Sequence, residues 1–121
     1  MEKFLLLIRE DLKRRAGLTP EEFQVQGDMV GEWIDKMAAD GNFLNASALH
    51  DFGNYVNKTT IVSDGPFIEA KESVSGFILI QANSLEHATE LAQACPFLQA
   101  GHCVIEVRPL QFIPDARHLS S

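Results

Sequence analysis

Two short apolar runs constrain the fold of this chain more than any other feature: FLLLI at residues 4–8 and FILI at residues 77–80. Successive side chains of a β-strand point to opposite faces of the sheet. An unbroken apolar run therefore sends Leu, Ile and Phe side chains to both faces, and such a strand needs both faces buried. The two runs predict the central strands of a sheet that is covered on both sides.

Two further segments predict helices that cover one of those faces. Thr19 and Glu22 have the spacing of a capping box, and the proline between them suits the first turn of a helix over residues 20–40. Apolar residues then recur at helical spacing on one face, at Phe23, Val30, Trp33, Ile34 and Met37. Ser84 is expected to cap a second helix that ends before Pro96. Its buried face is predicted to hold Leu85, Ala88, Leu91, Ala92 and Cys95.

The remaining strand signals complete a recognisable order. Residues 43–49, 55–62 and 103–108 are rich in strand-forming residues, whereas residues 11–18 are predicted to be a charged loop. The order predicts a βαββαβ plan, the ferredoxin-like α+β fold, with an antiparallel sheet and two helices on one face. That plan places the first and third strands, which are the two apolar runs, at the centre of the sheet. The last strand alternates apolar and charged residues, as expected at an edge.

The face without helices predicts an assembly. Left bare, it would expose an apolar patch larger than the few hundred Å² typical of monomers. The simplest cover is a second copy packed sheet against sheet about a two-fold axis, which gives a homodimer of the α+β barrel type. The alternative cover is the C-terminal segment over residues 110–121, which is short and largely polar.

Length and charge exclude several classes of protein. A chain of 121 residues predicts one domain, over residues 1–110, followed by a tail over residues 111–121. The net charge of −7 argues against nucleic-acid binding, which usually needs a basic face. No apolar run reaches the length of a signal sequence or a membrane span, so a cytoplasmic protein without membrane contact is expected.

The two cysteines, Cys95 and Cys103, are expected to be reduced thiols that act as small buried apolar residues. They are too few for a zinc site, even with His102 beside the second one. Neither a metal nor a cofactor is therefore predicted.

Four blocks in order carry a resemblance to a known family: the opening KFLLLIRED with LTPEEF, then SDGPFIEAKESVSGFILI, CPFLQAG and VIEVRPL. Together they span residues 3–110 and resemble the YCII-related family, specifically its DGPF-type branch. The resemblance implies a dimeric α+β barrel made of two ferredoxin-like subunits.

The resemblance says less about activity. The main YCII branch carries a His in the first helix and an Asp before a Pro-aromatic pair, which have been proposed as a catalytic pair. Here Cys95 stands before Pro96, and residues 20–40 contain no His, so that pair does not carry over. Some DGPF-type relatives are encoded beside, or fused to, sigma factors, which implies a sigma factor as a possible partner.

The stretch SDGPFIEAKE is the main candidate site, and two interpretations of it stay open. Asp, Gly and Pro favour a rigid turn, and a turn with a surface ion pair would explain the stretch without any ligand. Alternatively, the charges beside the turn bind a small polar ligand or shift the pKa of a carboxylate. The structural role is favoured for Gly65, Pro66 and Phe67. The complete set of candidate ligand-binding residues is Asp64, Gly65, Pro66, Phe67, Glu69, Lys71, Glu72 and Arg108.

Three residues are candidates for catalysis. Asp64 or Glu69 would be the general base, and His50 would assist, since a histidine titrates near neutral pH. For the neighbouring pair His50 and Asp51, a solvated turn is the favoured interpretation.

The predicted function follows from these residues. The leading hypothesis is a dimeric protein that binds a small polar or aromatic molecule, or has a regulatory role. Its pocket would lie between sheet and helices or at the subunit interface. One alternative is an enzyme of the lactone or isomerase type, and the other is an interaction module for a sigma factor.

Overall fold

The computed structural model describes residues 1–59, 61–63 and 73–111. Six strands run along these residues: β1 Glu2–Glu10, β2 Phe43–Ala48, β3 Asn54–Val56, β4 Ile61–Ser63, β5 Ser73–Ala82 and β6 Cys103–Pro109. The same described residues also form four helices: α1 Leu12–Ala16, α2 Pro20–Ala39, α3 Leu85–Gln93 and α4 Pro96–Gln99.

The main sheet is antiparallel and has the strand order β2-β5-β1-β6. This is the ferredoxin-like arrangement, and it confirms the predicted fold class. The two apolar runs are the central strands β1 and β5, and the alternating strand β6 lies at an edge, as expected. Strands β3 and β4 pair separately as a small two-stranded sheet.

The core lies between the sheet and the helices. Leu6 is opposite Ile78 and Phe4 is opposite Ile80 in the register of β1 and β5, and all four side chains are buried. They pack with residues of α2, α3 and the segment before α4: Trp33, Met37, Ala88, Ala92 and Cys95. The intervening residues of the central strands point to the other face, where Leu5, Leu7, Phe77 and Leu79 are half-buried.

Helix α2 begins as predicted. The Glu22 N–H donates to Thr19 Oγ1 at 3.1 Å, and the Thr19 N–H donates to Glu22 Oε1 at 3.0 Å. The reciprocal bonds satisfy two N–H groups at the helix start and lower the pKa of Glu22, chiefly through the bond from the Thr19 backbone. The helix ends at Ala39 with Asp40 as its C-cap, and Gly41 follows with φ of 79°, a conformation that favours glycine.

Three local predictions were wrong. Residues 11–18 contain helix α1, in which the Arg14 and Arg15 N–H groups are bonded to Asp11. Its five residues are too few to show an apolar period. Phe23 is 53% exposed and Leu85 is 48% exposed, although both were assigned to buried faces. Each lies in the first turn of its helix, and helical spacing alone does not show how far other elements cover the start of a helix.

A half-buried hydrogen bond connects helix α2 to α3. Trp33 Nε1 donates to the Leu91 backbone carbonyl at 3.0 Å. Because a buried indole N–H needs a hydrogen-bond partner, this bond fixes the orientation of the Trp33 ring against α3. Within the described ranges, no helix is long and apolar enough to span a bilayer.

Candidate functional site

A cavity of about 350 Å³ lies between α2 and the helix-covered face of the sheet. Its walls are mainly apolar, with side chains that include Ile8, Phe23, Val30, Trp33, Ile34 and Phe97. The floor is formed by the ends of β1, β2 and β5. The volume is at the lower end of the range of about 300–1,000 Å³ for small-molecule sites.

An ion pair between a buried carboxylate and a half-buried arginine marks the polar end of this cavity. Glu10, the last residue of β1, is only 7% exposed, and its Oε1 lies 3.6 Å from Arg15 Nη1. Both residues line the cavity, together with Gln26 and the buried Ser75, whose Oγ donates to the Ile8 carbonyl at 3.4 Å. A carboxylate taken out of water needs a charged or hydrogen-bonding partner. Arg15 supplies it, and a bound ligand with donor groups would supply more.

Two glycines shape opposite walls. Gly76 on β5 lies so close to β2 that a Cβ there would meet the Ser47 carbonyl oxygen at 3.0 Å. Gly27 on α2 has open space around the corresponding position. The close approach at Gly76 lets the strands pair tightly beneath the cavity, and the missing side chain at Gly27 leaves the cavity unfilled.

A thiol pair lies at the side of the cavity. Cys95 lines it and is 1% exposed, and Cys103, also buried, is the first residue of β6. A hydrogen bond from the Cys103 thiol is the main cause that lowers the pKa of Cys95 to about 7. Burial raises the pKa of Cys95 and so opposes this shift, whereas the backbone N–H groups of Leu98 and Phe97 lower it further. The Cys95 side chain makes no capping hydrogen bond at the start of α4. The same bond and burial raise the pKa of Cys103.

A second, more polar cavity of about 270 Å³ adjoins the first. It is lined by Arg15, Phe23, Leu49, His50 and Asp51, among others, so it shares Arg15 and Phe23 with its neighbour. The Arg15 guanidinium lies 5.8 Å from the centre of the Phe23 ring, a cation–π contact between the two cavities.

The structure places His50 in this second cavity rather than in the first. The side chain is exposed and stacks on Phe52 with ring centres 4.9 Å apart. Its role as an assisting acid or base stays a prediction.

Arg108 lies on the face of the sheet opposite the main cavity. Its side chain is 65% exposed, and Nη1 lies 2.9 Å from Glu106 Oε2. Arg9 Nη2 lies 3.1 Å from the other carboxylate oxygen of Glu106. The Arg108 and Arg9 hydrogen bonds, in that order, lower the pKa of Glu106. A ligand-binding role for Arg108 stays a prediction. Any ligand it binds would lie on the opposite face of the sheet from the main cavity.

The other predicted site residues lie outside the described residues: Asp64, Gly65, Pro66, Phe67, Glu69, Lys71 and Glu72. The description resumes at Ser73, which is opposite Glu10 in the register of β5 and β1.

Sequence reasoning missed Glu10, Arg15 and Cys95 as site residues. Glu10 could have been identified from the sequence, because it is an even number of residues from Phe4 and Leu6 along β1 and therefore points to the same buried face. A carboxylate at an inward position next to an apolar strand indicates a buried polar group. Arg15 and Cys95 carried no comparable signal, since their places depend on how α1 and α4 pack.

Solved structures share this fold. The 5-chloro-2-hydroxyhydroquinone dehydrochlorinase TftG from Burkholderia phenoliruptrix AC1100, in complex with 2,5-dihydroxybenzoquinone, superposes with a TM-score of 0.51 at 16% sequence identity. The match covers 92% of this chain and 95% of that one. At this identity the likeness shows the fold alone.

Sequence comparison matches part of the chain to a curated protein and most of the chain to a protein family. The uncharacterized protein R00369 of Rhizobium meliloti (strain 1021) is 45% identical over 51 residues, which are 42% of this chain and 41% of that protein. The chain thus matches about two-fifths of that relative's length. The YCII-related domain matches residues 4–111. The chain therefore belongs to the YCII-related domain family.

Proposed function

We propose that this protein binds a small aromatic molecule with polar substituents in the main cavity. The observation that carries the proposal is the combination of an apolar, aromatic wall with the buried Glu10 carboxylate and its half-buried partner Arg15 at one end of a space of about 350 Å³. Sites for small molecules are typically apolar pockets with a few converging polar groups.

The chemistry of the walls suggests the ligand class. The rings of Phe23, Trp33 and Phe97 offer stacking and edge contacts to a planar ring. Arg15 can donate to a carboxylate or a carbonyl, and Glu10 can accept from a hydroxyl. A ring compound with hydroxyl, carbonyl or carboxyl groups fits this arrangement. The quinone held by TftG is such a compound, bound there by a protein of the same fold.

The stretch over residues 64–72 belongs to this proposal. Its DGPF motif supports placing the chain in the DGPF-type branch of the family. Because the stretch joins β5 at Ser73, opposite Glu10, we propose that Asp64, Glu69 and Lys71 add polar groups to the same end of the cavity.

We also propose that the protein is a cytoplasmic homodimer joined through the helix-free face of the sheet. Leu5, Leu7, Phe77 and Leu79 form the apolar centre of that face, and the Arg9–Glu106–Arg108 ion pairs lie beside them. Native mass spectrometry at micromolar concentration should give twice the chain mass of 13.4 kDa. A monomer at that concentration would contradict the proposal.

An enzyme is the second candidate function. The observation that favours it is a buried carboxylate, Glu10, inside an apolar cavity, an environment in which carboxylates act as acids or bases in many enzymes. Asp64 or Glu69 would be the general base of a lactone or isomerase type of reaction, and His50 would assist. A sigma factor as partner stays a prediction from the resemblance alone.

Fluorescence of the single tryptophan provides the test of binding, because Trp33 lines the cavity. Hydroxybenzoates and 2,5-dihydroxybenzoquinone are titrated against the protein, and thermal stability is measured in parallel. A fitting compound should change the Trp33 emission at saturation and raise the melting temperature.

Two matched variants locate the site. Gly27→Phe places a ring into the cavity, whereas Gly31→Phe adds the same ring to the same helix outside the cavity lining. We expect Gly27→Phe to weaken binding by about tenfold or more, and Gly31→Phe to bind like the wild type. Equal binding by both variants, or no response to any compound, would contradict the proposal.

A further inference from the structure

The ion pair at the polar end of the main cavity is loose. Glu10 Oε1 and Arg15 Nη1 lie 3.6 Å apart, whereas hydrogen-bonded ion pairs have N–O distances of about 2.7–2.9 Å. Within the ranges that the structure describes, no group accepts a hydrogen bond from the Arg15 guanidinium, and none donates one to the Glu10 carboxylate. The Glu10 side chain is nevertheless only 7% exposed. Both groups therefore keep bonding capacity that a ligand in the cavity can use.

The charges that line the cavity sum to zero. Among the described residues of its walls, Glu10 and Arg15 are the charged ones, and the others are apolar or neutral. A ligand with a single negative charge would reach Arg15 but would also lie beside the Glu10 carboxylate. A ligand with a single positive charge would meet the same conflict with Arg15. Because like charges brought together out of water are costly, the pair as a whole favours a ligand group that carries both signs.

We infer that the main cavity takes a free aromatic α-amino acid. The carboxylate of the ligand accepts hydrogen bonds from Arg15, its ammonium donates to Glu10, and its ring lies against the apolar wall that includes Trp33 and Phe97. The inference rests on the function proposed above, since it names the class of small aromatic molecule that this cavity binds.

An α-amino acid fits the spacing of the pair. Its ammonium and its carboxylate are attached to one carbon atom, so both can face two protein charges that lie 3.6 Å apart. The guanidinium of Arg15 offers a planar fork of N–H donors to a carboxylate, and Glu10 has two oxygens that accept from an ammonium. Each of the four charges then lies beside one of the opposite sign, so no buried charge is left unpaired.

The ring accounts for the rest of the cavity. Beyond the charged end, the walls are apolar and include Val30, Trp33, Ile34 and Phe97, around a space of about 350 Å³. One methylene group joins the ring of phenylalanine to its charged carbon atom, so the ring can enter the apolar part while the charges stay with Glu10 and Arg15. A small amino acid such as alanine would leave this part unfilled and lose the contacts with its walls.

A series of ligands tests the inference on the unaltered full chain. L-Phenylalanine is compared with hydrocinnamate, which lacks the ammonium, with phenethylamine, which lacks the carboxylate, and with L-alanine, which lacks the ring. Binding is followed by the emission of Trp33, which lines the cavity. We expect L-phenylalanine to bind about tenfold more tightly than each analogue, because each analogue leaves part of the site without its partner. Binding of a single-charge analogue as tight as that of L-phenylalanine would overturn the inference.

Two variants with the same change in charge test the role of Glu10. Glu10→Gln keeps the size of the side chain and removes its charge. It should weaken L-phenylalanine by about tenfold and bind hydrocinnamate more tightly than the wild type does, because Arg15 then has no competing carboxylate. Asp51→Asn is the control, since Asp51 is exposed and lines the adjoining cavity instead of the main one. Both of its affinities should stay within about twofold of the wild type.

The opposite shifts expected for Glu10→Gln separate charge recognition from a structural role. A Glu10 that only supported the fold would weaken both ligands alike in this variant, and that result would overturn the assignment of the ammonium to Glu10. If Glu10→Gln fails to fold, the ligand series on the wild type still decides, because it changes no residue of the protein.

Titration of the same samples with 2,5-dihydroxybenzoquinone and hydroxybenzoates separates this inference from the proposed function. If these compounds bind and L-phenylalanine does not, the inference fails and the proposed function stands. If no compound changes the Trp33 emission, both fail. Gly27→Phe should weaken L-phenylalanine by about tenfold, with Gly31→Phe as its control. L-Phenylalanine that binds equally well to Gly27→Phe would lie outside the main cavity, which would also overturn the inference.

Discussion

The two faces of the main sheet start from the same strands and end in different environments. On one face, Phe4, Leu6, Ile78 and Ile80 are buried under helices of the same chain. On the other face, Leu5, Leu7, Phe77 and Leu79 stay half-buried. The strands alone do not distinguish these faces, since both sets are equally apolar. The difference shows that an apolar strand pattern predicts burial of both sheet faces, whereas the helices of one chain cover only one of those faces.

The covered face is itself not uniform. Its centre is packed without a gap around Leu6 and Ile80, but toward the end of β1 the helix α2 leaves a space above the sheet. That space carries the buried Glu10 and the Cys95 thiol. The candidate site therefore lies where the helices cover the sheet incompletely. Substitutions of single residues on each face can test whether the two faces differ in their contribution to stability.

The largest expected effect is on the packed centre of the covered face. Leu6→Ala should lower the free energy of unfolding by about 3 kcal/mol, because Leu6 is fully buried and the change leaves a cavity. Leu79→Ala makes the same deletion on the other face, where we expect about 1 kcal/mol or less in the isolated subunit. Urea unfolding followed by circular dichroism measures both. Equal losses at low protein concentration would show that the two faces are equally buried within one chain.

The second effect compares the ion pairs of the two faces. Arg15→Leu leaves Glu10 buried without its charged partner, and we expect a loss of about 1–2 kcal/mol in unfolding free energy. Arg108→Leu removes an exposed partner of Glu106, so at protein concentrations low enough to give the isolated subunit its unfolding curve should match that of the wild type. A larger loss for Arg108→Leu would mean that the helix-free face is covered in solution, and the loss should then depend on protein concentration.

The smallest effect compares the two walls of the cavity. Gly27→Ala lies in the exposed interior of α2 with open space around its Cβ, and should stabilise the protein by about 0.5–1 kcal/mol. Gly76→Ala brings a Cβ to 3.0 Å from the Ser47 carbonyl oxygen and should destabilise by about 1 kcal/mol. Thermal unfolding of the two variants gives the signs. A stabilising Gly76→Ala would mean that β2 can move away from β5 at the cavity floor.

Much of the fold could be predicted because its signals are local. The Thr19–Glu22 capping box and the stop at Gly41 depend on hydrogen bonds within a few residues, and both were found where expected. The central strands followed from apolar runs on both faces. Helix α1 and the exposure of Phe23 could not be predicted in this way. A five-residue helix is too short to show an apolar period, and the pattern of a helix does not show which of its apolar residues other elements will cover.

The candidate site was less predictable than the fold. The stretch over residues 64–72 is a predicted site because its charges are close together in sequence, but it lies outside the described residues. Of the other candidates, Arg108 lies on the opposite face and His50 in the adjoining cavity. The residues that line the main cavity come from three strands, three helices and the segment before α4, so no short motif could identify them.

By itself, the sequence determined the order of the elements, the start of α2 and the centre of the sheet, because these depend on neighbouring hydrogen bonds and on the two-residue period of a strand. Only the tertiary structure decided that Glu10, Trp33 and Cys95 surround one cavity. Their meeting depends on how far α2 stands from the ends of β1 and β5, and that distance is set by packing between residues far apart in the chain.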